Sequence, residues 1–182
     1  MNERDAVALI RDAVAPAPGT WADLGCGSGT FTRALVAIHG RDARIYAMDR
    51  DESALRPLRR WAERNAPNVR VIAGDFTDDR ALWQLGDALD GILLANALHF
   101  VADQEAVLRH LAGRLRDGGR MVFVEYDRRD ASPYVPFPIS VERLRALAVA
   151  AGLSAPVVTA TRPSRYQGTL YVAWCGLDRD TG

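Results

Sequence analysis

The sequence predicts an α/β fold, a largely parallel sheet with helices on both of its faces. Three observations predict it. Stretches that read as strands alternate with stretches that read as helices, which is the pattern of successive βα units and not of a bundle or a sandwich. The first strand runs directly into a glycine-rich turn and then a helix. A chain of 182 residues with 48% hydrophobic and 25% charged residues has the composition of one globular domain. A chain of this length can bury a core without disulfides or structural metal.

The elements follow in order. Thr20 to Leu24 reads as the first strand, followed by the turn and a helix through Ala37. Arg44 to Met48 is the second strand and leads to a helix near Glu52 to Asn65. Val69 to Ala73 is the third strand, and the apolar run Gly91 to Ala95 is the fourth. A helix around Gln104 to Leu115 and a turn at Asp117-Gly118-Gly119 set up the fifth strand, Arg120 to Glu125. Beyond a proline-rich, aromatic stretch, Ser132 to Pro138, a helix over Val141 to Ala151 is ended by Gly152. Two final strands, Val157 to Thr161 and Thr169 to Cys175, flank a polar loop and read as a hairpin. No repeat, low-complexity tract or linker divides the chain, so residues 1–182 are expected to form one domain.

Composition excludes several functions. Basic and acidic residues balance at 23 each, which gives no global field toward nucleic acid. All of the basic residues are arginine, so no side-chain amine is present to form a Schiff base or act as a general base. Cys26 and Cys175 have no metal-site or redox-pair spacing. With no signal-like apolar segment at the amino terminus and no run of membrane-spanning length, the expected location is the cytoplasm, and no metal or membrane partner is expected.

The strongest motif is Trp21-Ala-Asp-Leu-Gly-Cys-Gly-Ser-Gly-Thr30. Glycine permits a tight strand-to-helix turn and lets a ligand lie against backbone amides at the positive end of a helix. Gly25, Gly27 and Gly29 fall at alternate positions, and Thr30 stands where a dinucleotide fingerprint needs its last glycine. A nucleotide-triphosphate P-loop needs a lysine that this chain lacks. Further motifs follow: Ile45-Tyr-Ala-Met-Asp-Arg50, Ala73-Gly-Asp-Phe-Thr77 and Leu93-Leu-Ala-Asn-Ala-Leu-His-Phe100. Each ends a strand in a polar or acidic residue.

In this order the motifs resemble those of the class I, Rossmann-like S-adenosylmethionine-dependent methyltransferases, from Asp23 to about Glu125. The resemblance implies a three-layer α/β/α sandwich with a seven-stranded sheet in the order 3-2-1-4-5-7-6, the seventh strand antiparallel, and S-adenosyl-L-methionine as the cofactor. It implies that Asp23, Gly25, Cys26, Gly27 and Gly29 form the first cofactor motif. Asp49 would accept from both ribose hydroxyls, and Arg50 would lie over the adenine. Asp75 would accept from the adenine amine, and Phe76 would offer its amide and a wall of the pocket. Ala95 and Asn96 would face the methionine part, with Leu98, His99 and Phe100 toward the acceptor. Plain structural roles stay open beside these: Asp49 as the cap of the helix through Glu52, Asp75 as the start of an Asx-turn, and His99 as a packing residue.

Two departures bear on the acceptor. The region before the first strand leaves room for about one helix of substrate cover. No Asn-Pro-Pro-Tyr or Asp-Pro-Pro-Tyr tetrad follows the fourth strand, which counts against an adenine or glutamine amino-methyltransferase. Glu125, Tyr126, Arg128, Arg129, Tyr134 and Tyr166 are expected to gather at the mouth and to suit an aromatic or anionic small molecule. His99 is the expected catalytic group, since its ordinary pKa suits proton transfer near neutral pH. A small-molecule acceptor is the leading reading, and a homodimer covering the site is open. The rivals are a non-catalytic S-adenosylmethionine-binding module, an RNA or protein methyltransferase, and a nicotinamide oxidoreductase.

Overall fold

The computed structural model describes residues 1–14, 17–86, 88–127, 130–164 and 168–177. Helix α1 (Glu3–Ile10) precedes β1 (Thr20–Leu24), α2 (Thr30–His39), β2 (Arg44–Asp49), α3 (Glu52–Asn65) and β3 (Val69–Ala73). A one-turn helix α4 (Asp79–Leu82) and a 3-10 turn, Trp83–Leu85, lead into β4 (Leu89–Ala95). A second 3-10 turn, Leu98–Phe100, is followed by α5 (Gln104–Ala112), β5 (Leu115–Asp127), α6 (Val141–Ala150), β6 (Val157–Pro163) and β7 (Thr169–Gly176). The sheet order is β3-β2-β1-β4-β5-β7-β6. Strands β1 to β5 pair in parallel, and β7 runs antiparallel to both β5 and β6. The expected fold, order and reversed strand are therefore observed.

Side chains alternate across each strand and separate two cores. Trp21, Ile45, Ala47, Leu93, Val122 and Val124 pack against α1, α2 and α3. On the other face Ala22, Leu24, Met48, Ile92, Leu94 and Phe123 pack against α4, α5 and α6. Asp23 falls on the same face as Trp21, which turns its carboxylate toward α2. Trp21 pairs in register with Gly91, and a Cβ at Gly91 would lie 2.3 Å from the indole ring. Only glycine fits beneath that ring.

The turn expected at Asp117-Gly118-Gly119 is an interruption within β5. Register with β4 steps from Leu89↔Leu115 to Gly91↔Arg120, with Gly118 at φ +72°. Because β1 lies between β2 and β4, connections leave it in opposite directions, and a crevice opens at the carboxyl ends of these strands. Among the described residues no helix is long and apolar enough to cross a membrane.

Candidate active site

The glycine-rich turn closes β1 onto β2. The amides of Gly25 and Cys26 donate to the Met48 carbonyl at 2.8 and 3.0 Å, and the Gly27 amide donates to Asp49 Oδ2 at 2.7 Å. Asp49 Oδ1 accepts from the Asp51 amide at 2.8 Å. Two backbone donors leave about half of a carboxylate's acceptor capacity open. Asp51, not Asp49, caps α3, accepting from the amides of Ser53 and Ala54.

A cavity of about 480 Å³ opens beside this turn. Its wall includes Gly25, Asp49, Arg50, Asp75, Phe76 and Asn96, half of the expected cofactor set. Arg50 Nη1 stands 3.7 Å from Asp75 Oδ2, while Asp75 Oδ1 accepts from the Thr77 amide and hydroxyl at 2.9 and 2.8 Å. Asp75 thus forms the Asx-turn and still presents one oxygen to the cavity. Asn96 has φ +54°, a left-handed conformation that Asn tolerates better than most residues, and its buried Oδ1 has no hydrogen-bond partner. An orphaned acceptor at the wall, a carboxylate with free lone pairs and a backbone cradle without side chains fit the polar parts of S-adenosylmethionine.

The remaining expected residues stand elsewhere. Gly29 is the N-cap of α2 at φ +87°, and a Cβ there would lie 2.4 Å from Leu58 Cδ1, so it serves helix packing. Gly27, at φ +52°, has nothing within 4 Å of an added Cβ and is open to approach. Asp23 is buried, accepting from Thr32 Oγ1 at 2.6 Å, and its Oδ1 is unpartnered. Burial, against the Thr32 hydrogen bond and with help from nearby Asp49, pushes its carboxyl up to about 7. Burial first, then Asp23 and Asp49, pushes the Cys26 thiol far above its ordinary value, which leaves it inert. Ala95 packs with the α1 to α3 layer, and Leu98 is fully buried in the opposite core. Neither Asp23, Cys26, Ala95 nor Leu98 lines the cavity.

His99 is expected to point across the methyl group, but the 3-10 turn directs it inward. Its Nδ1 lies 2.6 Å from Glu125 Oε2, with 3% of the His99 side chain and none of Glu125 exposed. Burial raises the Glu125 pKa against the opposing effect of His99. The ring stands 4.5 Å from that of Phe100 and 6.2 Å from that of Tyr126. Glu125 was expected at the mouth. Strand alternation instead puts it beneath the surface, on the face of Phe123.

Tyr126 does reach an opening, a second cavity of about 650 Å³ shared with Asn2, Asp5, Asn96, Arg162 and Ser164. Tyr134 is exposed and lines neither cavity. Arg128, Arg129 and Tyr166 lie outside the described residues. Sequence reasoning missed Asp5 and Arg162, which carry no motif and come to line one cavity only because α1 packs beside β6. It also missed Val101, Ala106 and Val107 in the first cavity, ordinary apolar residues with no local signal. Thr77 could have been found as the partner of the Asx-turn.

The family model for a methyltransferase domain matches residues 22–119. The chain is 39% identical over 84 residues to ribosomal RNA small subunit methyltransferase H of Cereibacter sphaeroides, covering 45% of this chain and 24% of that protein. It is 34% identical over 146 residues to 2-ketoarginine methyltransferase of Streptomyces arginensis, covering 74% of this chain and 40% of that protein. The chain thus spans well under half of the length of either relative. Among solved structures, 1,6-didemethyltoxoflavin-N1-methyltransferase of Burkholderia thailandensis, with bound 1,6-didemethyltoxoflavin and S-adenosylhomocysteine, shares the fold. It aligns at TM-score 0.75 and 23% identity over 97% of this chain and 78% of that one. Since the family model covers more than half of the chain and the sheet has the family's order, this protein belongs to the class I S-adenosylmethionine-dependent methyltransferases.

Proposed function

We propose that this chain works as a single methyltransferase domain that moves a methyl group from S-adenosylmethionine to a small-molecule acceptor. The observation that carries this reading is that Asn96 borders both cavities, the one at the motif residues and the second between α1, β5 and β6. The cofactor, when bound, supplies an electrophilic methyl group that an acceptor lone pair takes up as the carbon–sulfur bond breaks.

The protein's part is then positioning. Asp49 holds the ribose, Arg50, Asp75 and Phe76 enclose the adenine, and Gly25, Gly27 and Asn96 receive the methionine part. His99, clamped by Glu125, braces Phe100 at the first cavity and Tyr126 at the second. Glu125 engages Nδ1 alone, so proton transfer by His99 would run through Nε2 with the ring still held by the carboxylate. The relatives support a small acceptor more than RNA: the match to the 2-ketoarginine enzyme extends over 74% of the chain, against 45% for the ribosomal RNA enzyme.

The test is transfer of tritiated methyl from S-adenosylmethionine to a panel of small molecules and to ribosomal RNA. Label in a small molecule supports the reading, and label in RNA alone replaces it. Calorimetry with S-adenosylhomocysteine and NAD separates the cofactor reading from the oxidoreductase rival.

A further inference from the structure

The second cavity holds two charges that the first reading leaves unused. Asp5 enters it from α1, and Arg162 enters it near the end of β6. Elsewhere arginines close onto acids: Arg116 on Asp90 at 2.5 Å, Arg109 on Glu105 at 2.6 Å, and Arg50 near Asp75 at 3.7 Å. Among the described residues, the side chains of Asp5 and Arg162 have no ion-pair partner, although their elements pack together and both face one cavity. Asp5 is exposed, and its carboxylate has no hydrogen-bond partner among the described residues. Arg162 is half-buried, so its guanidinium is partly screened from water. A guanidinium in such a place is suited to a carboxylate, which it can bind through two parallel hydrogen bonds.

We propose that this cavity takes a zwitterionic acceptor, with its anionic group on Arg162 and its cationic group on Asp5. This rests on the reading that the second cavity is the acceptor site, and it names the class of acceptor. The volume of about 650 Å³ lies within the range of small-ligand sites. An acid on the wall disfavours a polyanion such as RNA, whereas a molecule with both charges satisfies both groups. Held at its two ends, the acceptor places its middle against Asn96, where the cavities meet. The unpartnered Asn96 Oδ1 can accept from an N–H or O–H donor there.

The test uses the full chain saturated with S-adenosylhomocysteine, with ligand binding followed by saturation-transfer NMR. The probes are 5-aminovalerate and 4-guanidinobutyrate, with pentanoate and pentylamine as single-charge analogues. A zwitterion should bind at least tenfold more tightly than either analogue. Arg162→Gln should abolish its advantage over pentylamine, and Asp5→Asn its advantage over pentanoate, with S-adenosylhomocysteine affinity unchanged in both. Equal binding of all probes to the parent, no binding of either zwitterion, or unaltered preference in both variants overturns the proposal while the cofactor reading stands. Failure of the parent to bind S-adenosylhomocysteine overturns that reading instead.

Discussion

The Gly27 amide donates to Asp49 Oδ2 at 2.7 Å, so one carboxylate both ties down the glycine-rich turn and faces the cavity beside it. Asp49→Ala removes the tie and, in the role proposed for this carboxylate, the acceptor for the ribose together. Loss of a charge-assisted hydrogen bond to a buried group costs about 1–3 kcal/mol. S-Adenosylhomocysteine affinity should therefore fall by roughly tenfold to a hundredfold in calorimetry, with the far-ultraviolet spectrum retained. Unchanged affinity would leave Asp49 a purely structural residue.

The fold was legible because each strand carries its own signal. Apolar runs, the glycines after Leu24 and the acid at the end of β2 are local features, and they set the sheet order through the resemblance they carry. Local patterns do not give the direction of a side chain at an irregular turn. His99 looks like a mouth residue in sequence, but its 3-10 turn and the alternation of β5 bring it onto Glu125, 26 positions away. Asp5 and Arg162 were not legible at all, since only the packing of α1 beside β6 joins them. Gly29 fits the cofactor motif by spacing, yet its φ of +87° and the Leu58 side chain 2.4 Å from an added Cβ already demand glycine there.

Asp23 predicts a pH dependence of stability. Its carboxyl is pushed up from 3.8 to about 7, chiefly by burial. Between these values the native state keeps a proton that the unfolded chain releases, so stability falls as pH rises and the penalty is complete above about 7. Asp23→Asn carries no such penalty. Its stability advantage over the parent in urea should grow between pH 5 and pH 8, on the order of 2–4 kcal/mol at the upper end. Glu125 shifts in the same direction but is present in both proteins and cancels. An advantage independent of pH would show that Asp23 is not the titrating group.

His99→Ala leaves Glu125 buried without its imidazole. The carboxyl then keeps its proton and avoids the full cost of a bare buried charge, so the loss of stability should be about 2–3 kcal/mol. S-Adenosylhomocysteine affinity should change less than threefold, because His99 does not line the cofactor cavity. A kcat about a hundredfold lower with parental stability would instead mark His99 as a group that moves a proton during transfer.

Gly25 and Gly27 separate backbone strain from steric closure of the site. Both have positive φ, at 73° and 52°, so alanine at either costs about 1 kcal/mol of backbone strain. Their surroundings differ. A Cβ at Gly25 would lie 2.6 Å from Ala97 Cβ, at the wall of the cofactor cavity, whereas one at Gly27 meets nothing within 4 Å. Gly27→Ala should therefore lower stability by about 1 kcal/mol and no more. Gly25→Ala must also displace Ala97, which directly follows Asn96, and overpacking of this kind adds about 1–3 kcal/mol. Moving Ala97 disturbs the wall that Asn96 forms, so S-adenosylhomocysteine affinity should fall at least tenfold as well. Ala97→Gly in the Gly25→Ala background removes the colliding methyl group. If the clash is the cause, the second substitution recovers part of both stability and affinity. If the double variant is no better than Gly25→Ala alone, the defect lies in the backbone at residue 25 and the contact with Ala97 is not what requires glycine there.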